Sequence, residues 1–409
     1  KSGRASVTYD AYIGTQKPAS GNPFNLLNTQ GMADLTWLAL KNSGQPTTHA
    51  QYGSGASPVI PDYIINGPNS GISGAISAAD LAKYNITDFS KGIYRITAAN
   101  KTGTDWFHEI FRPAAIQSHT ITASGGNDKN TYLFSMNYFN QQGTLMGTYL
   151  KRYSARINTT FNIKNNIRVG ENLYIYNRTN PQIPNQSEGN AISMTYREQP
   201  IIPVFDINGG FAGTAAKGLG NAQNPVANQM RTFENKGNSW NIEGNIFAEV
   251  DFLKHITART AFGGTMGNFY YYNYGFRTYE NAENNASNSF SENAGYDRQW
   301  TWTNTIKYSN VFAGKHAVTA LAGVEALEAY GRGVGGSTLG YFTDNPNFRT
   351  LSTGSSGFTN YSYAYQNSLY SLFGKVDYAF NDKYLFSATV RRDGSSRFGA
   401  DKRYGIFPS

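Results

Sequence analysis

The chain of 409 residues has no cysteine. That removes disulfides, thiolate zinc sites and cysteine nucleophiles together. It does not fix a compartment, because an exported protein can simply avoid the residue. No stretch comes near the roughly 18 consecutive apolar residues of a transmembrane helix, so none is predicted. That absence leaves a membrane open, since the strands of a barrel carry only an alternating signal. No signal peptide precedes the strand-like opening "KSGRASVTYDAYIG", and any export signal is expected upstream of Lys1. Charged residues are only 15% of the chain. The net charge is +8, but the basic residues are scattered and never form a run, so nucleic acid is not an expected partner.

Chemical motifs are also scarce. His49, His108, His119, His255 and His316 show no metal-ligand spacing, and there is no G-x-S-x-G elbow. Gly331, Gly333 and Gly336 fit a dinucleotide fingerprint, but "STLGYFTDNPN" follows where a helix is required, so a flexible loop after a strand is predicted. "DINGG" (Asp206 to Gly210) lacks the remaining spacing and closing glutamate of a calcium loop and reads as a turn. Glu325 and Glu328 invite comparison with a glycosidase pair, yet ion pairing between adjacent strands accounts for them. No catalytic residue, metal site or cofactor is predicted, and the chain is not read as an enzyme.

What the chain does have is aromatic residues and glycine: 29 Tyr, 25 Phe and 43 Gly. Hydrophobic residues reach only 39% and mean hydropathy is -0.48. The aromatic content argues against disorder, and the combination suits alternating strands joined by long polar loops.

Period-two stretches recur along almost the whole sequence. Strands are predicted near 5–14, 116–125, 130–141, 152–163, 167–178, 239–252, 256–267, 298–310, 315–328, 366–380, 384–392 and 403–409. In "KRYSARINTTFNIKNNIRVGENL" one face carries Tyr153, Ala155, Ile157, Thr159, Phe161 and Ile163, and the other Ser154, Arg156, Asn158, Thr160 and Asn162. In "WNIEGNIFAEVDF" the face bearing Glu243, Asn245, Glu249 and Asp251 cannot be a dry core; it must be wet or heavily paired.

The connections are more telling. "GGNDKN", "KNN", "LKH", "VFAGK" and "NDK" are tight turns rich in Gly, Asn, Asp or Lys. The alternate connections are mostly long, at 15–115, 179–238, 269–297 and 329–365, with 142–151 and 393–402 the short exceptions. Loop length therefore follows strand parity, which a soluble sandwich does not require. An outer-membrane barrel does, with short periplasmic turns and long extracellular loops. The apolar face then meets acyl chains and the polar face lines the lumen. Tyr149, Tyr153, Tyr174, Tyr176, Trp300 and Trp302 are candidates for the aromatic girdles.

One segment, "GTDWFHEIFRPAAIQSHTITASGGNDKNTYLFSMNYFNQQGTLMGTYLKRYSARINTTFNIKNNIRVGENL", resembles the SusC-like TonB-dependent transporters of Bacteroidetes outer membranes. The resemblance rests on Thr104, Asp105 and Trp106, on the Ser124–Gly126 turn, on Tyr132, Ser135, Tyr138, Gln141 and Gly143, and on Arg152 to Asn158. "PVFDINGGF", "NPVAN" and the hallmark Arg391, Arg392, Asp393, Gly394 and Ser395 follow in family order, closed by "GIFPS".

The resemblance implies an all-β, antiparallel up-and-down transmembrane barrel of about 22 strands, of which this chain supplies roughly 12. Residues 1–409 would be the N-terminal half of that barrel, with the plug domain and closing strands outside the chain. It also implies TonB-dependent active import of oligosaccharides or peptides at the cell outer membrane. Expected partners are a SusD-like surface lipoprotein, the TonB–ExbB–ExbD system reached through the plug, and outer-membrane lipid. Weak loop candidates for solute contact are Trp37, Tyr52, Tyr63 and Trp106. Arg156, Asn158, Asn162, Glu243, Asn245, Glu249 and Asp251 are expected to face lumen or plug. A second reading keeps the barrel as a structural or assembly subunit of an outer-membrane complex without transport. A third is a soluble or surface-attached β-rich binding protein.

Overall fold

The computed structural model describes residues 3–18, 22–181 and 188–409. One 12-stranded antiparallel sheet dominates it, with every strand paired to its neighbour in sequence. The strands are β1 (Gly3–Gln16), β2 (Ala114–Gly126), β3 (Asn130–Gln142), β4 (Tyr149–Lys164), β5 (Ile167–Pro181) and β6 (Lys236–Phe252). They continue as β7 (Ile256–Gly275), β8 (Ser289–Phe312), β9 (His316–Leu339), β10 (Ser356–Phe380), β11 (Tyr384–Ser395) and β12 (Tyr404–Pro408). Each predicted strand has its counterpart.

The hairpin turns at one end are tight because the chain accepts left-handed backbone there. Leu253 and Lys254 (φ 50° and 63°), Ala313 and Gly314 (48° and 66°), and Asn381 and Asp382 (51° and 52°) form positive-φ pairs. Two such residues give a turn whose twist matches that of the strands it joins.

At the other end the strands run farther than the alternation indicates. β7 to β10 are 20, 24, 24 and 25 residues long. Most of the predicted loops 269–297 and 329–365 is therefore paired strand, and only 276–288 and 340–355 are irregular. Beyond the apolar band neither face needs an apolar set, so the dyad signal fades while the backbone ladder continues. The "GRGVGG" segment lies inside β9, which corrects its reading as a loop. A side chain at Gly333 would meet the Tyr363 ring at 2.6 Å, and one at Gly335 the Tyr361 ring at 2.5 Å. Glycine here makes room for rings lying flat on the neighbouring strand.

Register separates two faces. Tyr9, Ile121, Met136, Ala155, Ile175, Ile242 and Met266 are successive cross-strand partners on an apolar face. Asn158, Asn172 and Asn245 stand side by side on the polar one. Ile157 and Phe161 lie on the apolar face outside any closed core. Tyr153, Trp300 and Trp302 share that face, whereas Tyr174 and Tyr176 oppose Arg156 and Ser154 on the polar one. The girdle assignment of those two tyrosines is corrected by the pairing of β5, whose alternation is blurred in sequence by Glu171.

Within the sheet the buried apolar cluster is small, joining Tyr274 and Phe290 at the loop-side ends of β7 and β8 to Tyr341. The larger dry core lies in the long connections, where Ala33, Trp37, Tyr52, Ile64, Trp106, Ile110, Ile201, Ile202, Leu219 and Val226 form one buried cluster. The same connections carry five helices, α1 (Thr29–Asn42), α2 (Ala78–Leu81), α3 (Trp106–Ile110), α4 (Ala191–Arg197) and α5 (Pro225–Arg231), of which α1, α3, α4 and α5 supply cluster residues. Each starts at an Asn, Asp or Ser whose side chain accepts from a backbone N–H of the first turn.

Candidate functional site

The loop layer explains why several sequence motifs look as they do. Thr104 Oγ1 donates to the Ile202 carbonyl (2.6 Å), Asp105 caps α3, and Trp106 is buried with its indole N–H on the Gln199 carbonyl (3.3 Å). The triplet latches one long connection to the other. Asn224 is fully buried and uses both ends of its amide. Its Oδ1 accepts from Val226 and Ala227 N–H, and its Nδ2 donates to the Val204 and Ala212 carbonyls. In "DINGG" the Asp206 carboxylate accepts from Asn208 N–H, Gly210 N–H and the Tyr84 hydroxyl, so it closes a turn, as predicted.

Burial changes the standing of the loop candidates. Trp37, Tyr52 and Trp106 are 1–2% exposed and hold the layer together. Rings enclosed on both faces cannot stack on a solute, which removes these three as contacts. Tyr63 is half-buried in a short ladder with Ala98.

Beneath that cluster lies a group of buried charges. Arg231 holds Glu280, which has no exposed surface, through two bonds of 2.5 and 3.0 Å. Burial opposes ionisation of Glu280, but the Arg231 fork outweighs it and the carboxyl sits below its ordinary value. Arg95 donates to the Glu280 and Gly213 carbonyls at 2.7 and 2.8 Å, and its Nε has no partner. Glu198 is buried, among the described residues neither carboxylate oxygen has a well-formed hydrogen bond, and desolvation pushes it up to about 8.

The polar face carries a different set. Arg168 on β5 bonds Glu249 and reaches Asp251 at 2.7 Å, while Arg259 adds 3.1 Å to Glu249. Asn172 donates to Asn245 (3.2 Å) and Asn162 to the Asp128 carbonyl (2.8 Å), and the Arg156 guanidinium lies 5.2 Å from the Tyr174 ring. Asn158 stands beside Asn172, and Glu243 is exposed opposite Tyr174. All seven residues thus share one face. The hallmark Arg391 also points there, bonding Asp393 (2.6 Å), Ser371 (2.7 Å) and Glu325 (2.8 Å). Glu328 falls on the opposite face from Glu325, so the two carboxylates do not form a pair.

Two further groups on the polar face escaped the sequence reading. Arg152 and Arg178 are direct cross-strand partners, and neither Nε has a hydrogen-bond partner. Arg152 borders a groove of about 320 Å³ that also takes in Arg156 and Asn137. Like charges set opposite each other disfavour the pairing unless an anion lies between them. Farther along, Tyr361, Tyr363 and Tyr365 form an exposed row over Gly335, Gly333 and Gly331. Reading "YSYAY" against "GRGVG" as pairing strands would have found it. A cavity of about 760 Å³ separates α4 and α5 from the polar-face ends of β7 and β8, with Ser193, Gln223, Asn273 and Ser291 in its walls. Rings, amides and unpaired arginines suit a polar solute and offer no nucleophile with an adjacent base.

No known family profile matches the sequence. The chain is 25% identical, over 99% of its length, to "TonB-dependent receptor P3" of Formosa agariphila. It is 26% identical, over 75% of its length, to "TonB-dependent receptor SusC" of Bacteroides thetaiotaomicron. Its fold matches the "RagAB peptide importer" in the 'closed-closed' state with a TM-score of 0.77 over the whole chain, at 23% identity. These relatives are named as receptors and importers rather than enzymes. The chain spans 40% and 32% of the two curated relatives and 44% of the solved one.

Proposed function

We propose that the chain, similar to SusC-like TonB-dependent outer-membrane transporters, forms the N-terminal half of a transporter barrel that imports oligosaccharides or peptides. Its apolar face meets the acyl chains of the outer membrane. Its polar face, with Arg156, Asn158, Asn162, Glu243, Asn245, Glu249 and Asp251, faces the lumen or the plug. Further strands elsewhere in the protein close the barrel against β1 and β12, because unpaired edges have no place in hydrocarbon. The long connections, described over 22–113, 188–235, 276–288 and 340–355, lie on the extracellular side and meet a SusD-like lipoprotein. TonB and its ExbB–ExbD partners act through the plug.

The observation that carries this reading is the segregation of the two faces: an apolar band on one, and arginines, carboxylates and an exposed tyrosine row on the other. In cells carrying the full-length protein, uptake of labelled oligosaccharides and labelled oligopeptides at low concentration is measured in separate arms. Deleting the gene or that of its lipoprotein partner should abolish one arm. Replacing Tyr361, Tyr363 and Tyr365 together by Ala should lower that arm while heat-modifiable migration shows an assembled barrel. Unchanged uptake in both arms after gene deletion would overturn transport. The reading as an assembly subunit predicts that result, together with loss of a co-purifying complex.

A further inference from the structure

The apolar face is not apolar throughout. Arg298 on β8 and Arg332 on β9 both point outward on it, and both are exposed. Each faces a tyrosine across the ladder: Arg298 opposite Tyr330, and Arg332 opposite Tyr296. The two rings are 5.8 Å apart, and the Arg298 guanidinium lies 5.6 Å from the Tyr330 ring. Among the described residues neither guanidinium has an ion pair or hydrogen bond. Of the acids on this face, Glu292 is engaged by the Tyr270 hydroxyl, at 2.5 Å. Glu328 stands beside Trp300 and is partly buried.

The height of this cluster is fixed by the strand. On the same face Tyr308 marks the turn side, with the His316 ring bonded to Tyr378 near it (2.8 Å). Arg298 lies ten residues farther along β8. That is roughly 33 Å of strand, or roughly 25 Å along the axis of a barrel whose strands tilt by about 40°, the height of an apolar band. The arginines therefore stand at its loop-side rim. Arg332 is itself a wall of a groove of about 580 Å³ on the same face, in one cross-strand row with Tyr296, Asn268 and Trp240, and with Tyr270 one step farther toward the loops. On the membrane side lie Met266, Phe262 and Trp302.

Three chemistries thus meet at this rim: an apolar band below, and guanidinium groups interleaved with aromatic rings and amides above it. A guanidinium matches phosphate with two parallel N–H donors. Aromatic rings with neighbouring amides match the faces and hydroxyls of a sugar. We propose that this rim of β6 to β9 binds the phosphorylated sugar headgroup of an outer-leaflet glycolipid, with Arg298 and Arg332 on its phosphate, a sugar ring in the Trp240 groove and its acyl chains against the band below. The site rests on the outer-membrane reading of the apolar face and is separate from the solute route on the opposite face.

The test uses the full-length protein purified in detergent and titrated by native mass spectrometry. The probes are a bis-phosphorylated lipid A, the same lipid after phosphatase treatment, and glucosamine 1-phosphate. Wild type should retain the bis-phosphorylated lipid. Phosphate removal should weaken binding at least about tenfold, as should the R298Q/R332Q pair, in line with the loss of charge-assisted bonds. Trp240→Ala should weaken it without changing its dependence on phosphate. Equal retention of the intact and dephosphorylated lipids by wild type overturns the proposal without relying on any variant. Equally tight binding of glucosamine 1-phosphate overturns the lipid assignment. A protein that stays monodisperse without detergent removes the underlying membrane reading instead.

Discussion

Arg391 on β11 reaches over the intervening strand to Glu325 on β9, with Nη2 2.8 Å from Oε1 while Nε holds Asp393 at 2.6 Å. One guanidinium thus ties together three adjacent strands, since Ser371 of β10 lies under it at 2.7 Å. The family hallmark is, physically, a cross-brace on the polar face.

Both partners of that brace are partly exposed, which limits its worth. Arg391→Met should lower resistance of the membrane-embedded barrel to urea by about 1 kcal/mol, mostly from leaving Glu325 and Asp393 without their cation. A double-mutant cycle with Glu325→Gln measures the coupling. Additive single effects would show that the hallmark serves something other than the wall.

Glu198 makes the loop layer sensitive to alkali. Its carboxyl is pushed up to about 8 by burial, above its value in an unfolded chain. The folded layer therefore binds the proton more tightly, and its stability falls as pH rises from the ordinary carboxyl range through about 8, by at most about 1.4 kcal/mol per unit. Arg95 and Glu280 are the charged groups that act on it, one opposing and one reinforcing the shift. Hydrogen exchange of residues 191–202 should speed up between neutral and mildly alkaline pH in wild type. Glu198→Gln should flatten that dependence, and an unchanged slope would remove Glu198 as its source.

The Asn224 side chain makes four hydrogen bonds in the layer, and its loss should be correspondingly costly. Asn224→Ala removes a helix cap and two carbonyl partners, worth about 2 to 4 kcal/mol together. Asn224→Asp keeps the cap for Val226 and Ala227 but leaves the Ala212 carbonyl without its side-chain donor and the Val204 carbonyl with the Ala212 N–H alone. Exchange protection of 222–231 should fall in both variants, and protection retained in Asn224→Asp would mean the cap alone matters.

The sheet was legible because alternation and turn chemistry agree: Asn381 and Asp382 announce a turn, and Tyr153 to Ile163 announce two unlike faces. The upper halves of β7 to β10 were not legible. At Gly331 to Gly335 the pairing is between glycine and tyrosine on neighbouring strands, a relation no single segment displays. Trp37, Tyr52 and Trp106 looked available because they sit among Gly, Ser and Asn. Which polar stretch folds over which ring depends on contacts between 22–113 and 188–235, far apart in sequence. The shared face of Glu243, Asn245, Glu249 and Asp251 followed from period two alone, whereas the Arg152–Arg178 opposition required register between strands.

Tyr361, Tyr363 and Tyr365 lie flat, and flatness has a mechanical side. Three rings pressed onto glycine backbone thicken the wall by little more than one atomic layer, with no prong standing into the open space. Anything travelling along that face meets a low-relief track with hydroxyls at its margin. On the proposed import route such a surface would offer many shapes a shallow contact, where a pocket would fit one shape closely.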